Sequence, residues 1–235
     1  MAGPMGDPAL WLGATRQLDL SHPRLRITAF KLTQSCQSLP GRAVAVRDFV
    51  RRLPYAASAD ARRATASEVL ERGCGDSISK GVLFTAMCRA AGLPARLVFV
   101  KVRTRFLAGM LNLRPRTTTH AIGQVHYDGR WHSTDSYVLD PVLFARAKER
   151  LRESGLDSGF GLAQDASGAW DGRSACFHQF SASDVIATYG AFHDIDHFER
   201  RVAASEAGWG WPWLHELAAR LVNRRVRSLR AGAAA

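Results

Sequence analysis

The chain has 235 residues, 46% of them apolar, which is enough for one well-buried domain with extensions and hardly for two. Lysine and arginine together number 32 against 21 acidic residues, and the resulting charge of +11, carried mostly by arginine, would suit nucleic acids, anionic membranes or acidic substrates. No apolar run reaches the length of a membrane helix, and the opening MAGPMGDPALWLGATR lacks the basic start and apolar core of a secretion signal; Cys36, Cys74, Cys88 and Cys176 are scattered, with neither zinc-type pairs nor the density of a disulfide scaffold. The expectation is a cytoplasmic globular protein with free thiols and no resident metal or cofactor. Its arginines are dispersed and no nucleic-acid-binding motif occurs, so nucleic acid is not an expected partner.

Residues 1–22, with Gly3, Pro4, Gly6 and Pro8 close together, read as a loosely held arm. Ser21-His22-Pro23 then marks a helix start, and Leu25, Ala29, Leu32 and Cys36 recur at helical spacing over about four turns. After a break at Leu39-Pro40-Gly41, the positions of Ala43, Val46, Phe49, Val50 and Leu53 predict a second amphipathic helix ending at Pro54-Tyr55. Residues 67–72 predict one more short helical turn.

The stretch 73–96 organises the chain. A loop of Gly73, Cys74, Gly75 and Asp76 delivers Ser77 to a segment in which Val82, Leu83, Phe84, Ala86, Met87, Cys88, Ala90 and Ala91 are apolar on nearly every side, the mark of a buried helix. Gly92 and Pro94 stop it. Ser77 is thereby placed where unpaired N–H groups and the helix dipole favour negative charge, although Ser77 or Asp76 could equally be a simple cap.

Leu97, Val98, Phe99, Val100 and Val102 suit an inner strand, and residues 106–118 read as a loop or hairpin over the site. Asp128-Gly129 between two alternating runs is a two-residue hairpin turn. That turn pairs Tyr127 with Arg130, Ile122 with Asp135 and His120 with Tyr137, and makes His120 and Asp135 diagonal neighbours on one face, about 7 to 8 Å apart between backbones. Asp140-Pro141 opens a helix running to Gly155, residues 156–180 are loop-like, and 183–191 and 194–206 read as short helices. Trp209, Trp211 and Trp213 precede a basic amphipathic helix carrying Leu214, Leu217, Leu221 and Val222.

The ending Arg89-Ala90-Ala91-Gly92-Leu93-Pro94-Ala95-Arg96 resembles the transglutaminase-like superfamily of papain-related acyl-transfer enzymes, whose central helix begins Gly-Asp-Cys and closes Arg-Ala-x-Gly-Ile-Pro-Ala-Arg. Ser77 stands where that family has its nucleophilic cysteine. His120 opening one strand, Trp131, and Asp135 closing the next match the family's histidine, tryptophan and aspartate. The resemblance covers residues 23–140. It implies an α+β, papain-like core with a central buried helix on an antiparallel sheet; the residues 141–235 would be a C-terminal helical extension of the same globular unit, capping the cleft.

The implied activity is acyl transfer or hydrolysis at an amide, ester or thioester carbonyl by a Ser77, His120 and Asp135 triad. The alternative is a silent or Cys-to-Ser-arrested relative that binds a peptide or acyl substrate. Gln34, Gln37 and Tyr55 are candidates for a second oxyanion donor. Cys74 is a fallback nucleophile, and Ser77-x-x-Lys80 matches a serine-lysine spacing with Lys80 expected at an exposed rim. His193 and His197, four apart, read as solvated surface rather than metal ligands.

Overall fold

The computed structural model describes residues 7–110, 117–202 and 212–232. Within them the start of the chain is held rather than loose, because Gln17 and Leu18 are fully buried and Ala66 N–H donates to the Gln17 carbonyl at 2.8 Å. Helix α1 (Pro23–Thr33) is a turn shorter than its apolar spacing suggests. Helix α2 (Leu39–Arg52) starts earlier than expected. Ser38 accepts from Gly41 N–H and Pro40 occupies the first turn, so Leu39-Pro40-Gly41 is the beginning of the helix and not a break before it.

Helix α3 (Ala66–Arg72) is closed at its front by a capping box of Thr65 and Glu68 and at its end by Gly73 at φ 67°, a left-handed conformation that favours glycine. Helix α4 (Ser77–Ala90) follows at once, and all of residues 79–89 are buried. It lies between α1, α2 and α3 on one side and a sheet on the other.

Strand β1 (Ala95–Arg103) is central, pairing antiparallel with β2 (Thr117–Tyr127), which pairs with β3 (Arg130–Thr134). The β2–β3 turn is the expected one: Asp128 and Gly129 both have positive φ, and Tyr127 pairs with Arg130. Pairing ends at Gly123 with Thr134, so Asp135 lies one residue beyond the strand. Gly123 is the point of closest approach to α4; a Cβ there would stand 2.7 Å from the Phe84 ring. Residues 104–107 form a 3-10 turn, and 111–116 fall outside the described residues.

Helix α5 (Pro141–Ser154) has the predicted Asp140 cap and Gly155 stop. The loop after it carries a small hairpin, β4 (Ser158–Gly159) with β5 (Leu162–Ala163). Residues 183–191, expected as helix, are instead strand β6 (Val185–Phe192), paired antiparallel to β1. Val185, Ile186, Thr188 and Tyr189 are strand formers, and at a sheet edge that preference outweighs a weak helical pattern. The final sheet order is β3-β2-β1-β6.

Helix α6 (Ile195–Arg201) is capped by Asp194, and α7 (Pro212–Arg230) packs on α5. Trp209 and Trp211 lie outside the described residues, and the side chains of Trp213 and Leu214 are likewise not described. Among the described residues no helix is long and apolar enough to cross a membrane.

Candidate active site

The front of α4 divides its capping work in a way that frees Ser77. Asp76 is the cap, with its Oδ1 accepting from Ile78 N–H at 3.1 Å and from Ser79 N–H at 3.0 Å, while Ser79 Oγ accepts from Asp76 N–H at 2.9 Å. Lys80 N–H donates to the Asp76 carbonyl. Among the described residues, the Ser77 N–H and hydroxyl have no hydrogen-bond partner, and the residue is half-buried. An unpaired N–H at a helix start is suited to a developing oxyanion.

The loop ahead of it is fixed from outside. Gly75 N–H donates to the Pro54 carbonyl and Ala56 N–H to the Gly75 carbonyl, forming a short parallel bridge between Tyr55 and Gly75. Asp140 in turn accepts from Tyr55 N–H at 2.9 Å and from Arg230 of α7 at 2.5 Å, and Asn223 exchanges two bonds with the Ala57 backbone. The last helix thus anchors the strip of chain on which the Ser77 loop rests.

His120 and Asp135 come together as the hairpin register predicts. His120 Nε2 lies 3.0 Å from Asp135 Oδ2, with the two side chains 3% and 0% exposed. A carboxylate only accepts, so Nε2 carries the hydrogen and Nδ1 is the basic nitrogen. The carboxylate also receives His178 N–H on Oδ1 at 2.5 Å and Gln179 N–H on Oδ2 at 3.5 Å, while Asp135 N–H donates to the Cys176 carbonyl. Phe180 meets the His120 ring edge to face at 5.0 Å. These backbone contacts from 176–179 have no side-chain signature, so composition alone marks the segment only as loop.

No hydrogen bond joins Ser77 to His120. Ala121 and Gly123 face α4, whereas His120 follows the alternate face of β2 with Ile122, beside Phe180 and Val100.

Lys80 is not a rim residue. It is fully buried, its Nζ donating to the Val138 carbonyl at 2.8 Å, and burial pushes its ammonium down to about 7. Val138 N–H donates to the Asp135 carbonyl, so Lys80 ties α4 to the turn bearing Asp135 rather than serving Ser77. Of the oxyanion candidates, Tyr55 is placed beside the Ser77 loop, and burial raises its phenol well above the ordinary range. Gln34 and Gln37 are exposed, and Gln34 shares a surface cavity with Ala90 at the opposite end of α4.

All four cysteines are free thiols; Cys74 is half-buried, and desolvation raises Cys88 and Cys176. His193 precedes α6, stacks on Trp11 at 4.5 Å and on His197 at 5.6 Å, and lies 3.3 Å from Arg89, which is packing rather than solvated surface. Among the described residues no cluster of His, Cys, Asp or Glu is placed to hold a metal.

Residues 26–136 match the family model of the transglutaminase-like superfamily. No curated protein matches the sequence. Among solved structures, a candidate cysteine protease from Cytophaga hutchinsonii is 15% identical with a TM-score of 0.52, the likeness covering 83% of this chain and 50% of that one. A candidate protease from Parabacteroides distasonis is 16% identical with a TM-score of 0.39, over 50% of this chain and 24% of that one. The chain spans half the length of the Cytophaga protein, and at this identity that likeness speaks for the fold alone. Central helix, antiparallel sheet and matched segment agree: residues 26–136, a little under half of the chain, are similar to the transglutaminase-like superfamily, and the fold is papain-like.

Proposed function

We propose that the protein is an acyl-transfer enzyme, a hydrolase or acyltransferase acting at an amide, ester or thioester carbonyl, with Ser77 as nucleophile, His120 as base and Asp135 as the carboxylate that orients it. The observation that carries this reading is the Asp135 carboxylate, fully buried yet supplied with three donors, one of them His120 Nε2. Burying a carboxylate is costly unless it is paired and hydrogen-bonded, and a pair so held fixes one imidazole tautomer.

In this reading Ser77 Oγ attacks the carbonyl carbon as its proton passes to His120 Nδ1. The oxyanion accepts from the unpaired Ser77 N–H. Collapse breaks the bond to the leaving group, which takes the proton from Nδ1 and leaves an acyl-serine; water or an acceptor amine then repeats the sequence and restores the hydroxyl. A hydroxyl, unlike a thiol, is not ionised at rest, so the reaction depends on His120 coming within hydrogen-bond reach of Ser77. Such bonds are often long in unliganded enzymes and tighten in the complex.

A fluorophosphonate or an activated ester tests the assignment, with the adduct located by mass. The expected result is modification of Ser77 that disappears in His120→Ala. No adduct on Ser77, together with strong activity of Ser77→Cys, would move the chemistry to a thiol. The missing Ser77–His120 bond favours one second reading, a cleft that holds a peptide or acyl group without turnover. That reading requires binding to persist while neither Ser77 nor Cys at that position reacts.

A further inference from the structure

Away from the Ser77 end of α4, the second half of α2 and the loop at 168–170 enclose a cavity of about 440 Å³, lined by Arg47, Asp48, Arg51, Arg52, Gly168 and Trp170 among others. Three guanidinium groups meet one carboxylate there, and Asp48 is engaged with the deepest of them, Arg47, at 3.0 Å. Arg47 is 2% exposed; its Nη1 and Nη2 donate to the carbonyls of Gly168 and Trp170 at 3.2 and 3.4 Å, and its Nε is buried without a partner.

Arg51 is more unusual. Its Nε is also buried without a partner, and among the described residues its guanidinium has no hydrogen bond or ion pair, only the Phe144 ring 5.1 Å away. Of the acids close enough to influence it, Asp48, the stronger, is already paired with Arg47, and Asp140 is committed to Tyr55 N–H, Leu143 N–H and Arg230. Arg52 is exposed and likewise without a partner among the described residues. Burial lowers the affinity of both Arg47 and Arg51 for their protons, only partly offset by the one carboxylate, Asp48, beside them.

We propose that this cavity is a binding site for a small, doubly charged oxyanion of the phosphate class, free phosphate or a phosphate monoester, gripped by Arg51 and Arg52 over a floor formed by Arg47. The planar guanidinium fork matches phosphate oxygens two at a time, and charge-assisted bonds of this kind are about twice as strong as neutral ones. The ligand would satisfy the orphaned nitrogens and brace α2 against the loop whose later residues, 176–179, hold Asp135. The site stands independently of the acyl-transfer reading, since its occupancy is measured without any turnover.

The experiment is calorimetric titration of the full chain with inorganic phosphate, and separately with glycerol phosphate, against chloride at matched ionic strength. Arg51→Met and Arg52→Met keep most of the apolar stem, and Arg24→Met, at an exposed position on α1, removes the same charge elsewhere. The expected result is saturable phosphate binding that weakens about tenfold or more in either cavity variant and by less than about twofold in Arg24→Met. Tighter binding of the monoester identifies that source, and equal binding identifies free phosphate. Arg52→Met changes an exposed side chain, so its folding is not at issue if Arg51→Met proves unstable. Equal affinity in wild type and both cavity variants, or a response to phosphate no greater than to chloride, overturns the proposal.

Discussion

Replacing Lys80 by methionine gives the sharpest quantitative test of the α4 environment. Burial, with a smaller contribution from Arg230 and Arg51, depresses the Lys80 ammonium from 10.5 to about 7, partly offset by Asp140. Between those two values the unfolded chain binds a proton that the native protein does not, so wild-type stability rises with pH at about 1.4 kcal/mol per pH unit from this group alone. The penalty carried at pH 7 and below is about 5 kcal/mol, and it is fully relieved only above the unfolded value. Lys80→Met keeps the length and apolar contacts of the side chain, loses the bond to the Val138 carbonyl at a cost of about 1 to 3 kcal/mol, and removes the penalty. Urea unfolding from about pH 7 to about pH 9 should show wild type gaining about 2 to 3 kcal/mol relative to the variant, with the variant the more stable protein at neutral pH. Parallel pH profiles, or a variant less stable throughout, would refute the idea that a buried ammonium is being suppressed.

Asp135→Asn should lower acyl-transfer turnover by about 10⁴ with little change in substrate affinity, because the amide must present either its oxygen or its NH₂ to His120 and so disturbs the tautomer; steady-state kinetics reads this. Gly123→Ala should cost about 1 to 3 kcal/mol in urea unfolding, since the new methyl meets the Phe84 ring 2.7 Å away and the Tyr137 ring 3.1 Å away. His178 is buried with Nδ1 unpartnered and is pushed down to about 4, mainly by desolvation. Its contribution is intact above pH 6.5 and is lost as pH falls toward 4, so thermal unfolding should show an acid limb of about 3 kcal/mol that His178→Phe flattens.

The parts of the site legible in the sequence were those written in local chemistry. Asp128-Gly129 fixes a turn, the turn fixes a register, and the register delivers His120 to Asp135 without any long-range information. The all-round apolar stretch after Ser77 announced a buried helix. What stayed hidden depended on distant partners. Asp135 is held by backbone N–H groups 43 and 44 residues further along, and any residue type can supply those. Lys80 is buried because a single carbonyl, 58 residues away, happens to meet its ammonium, and nothing in an otherwise apolar helix distinguishes that from an exposed lysine. Strand β6 was missed because its middle is exposed at the sheet edge, leaving no clean alternation to read.

The pairing of β6 with β1 also bears on how the protein is made. Residues 26–136, the segment that matches the family, contain β1 but not its second neighbour. Gln17 accepts from the N–H of Asp196, 179 positions later. A ribosome must therefore pass residue 192 before the sheet can close, and until then β1 offers an open hydrogen-bonding edge to any passing strand. Expressing the family-matched segment alone would reproduce that half-made state permanently, so a soluble working fragment has to run past residue 196.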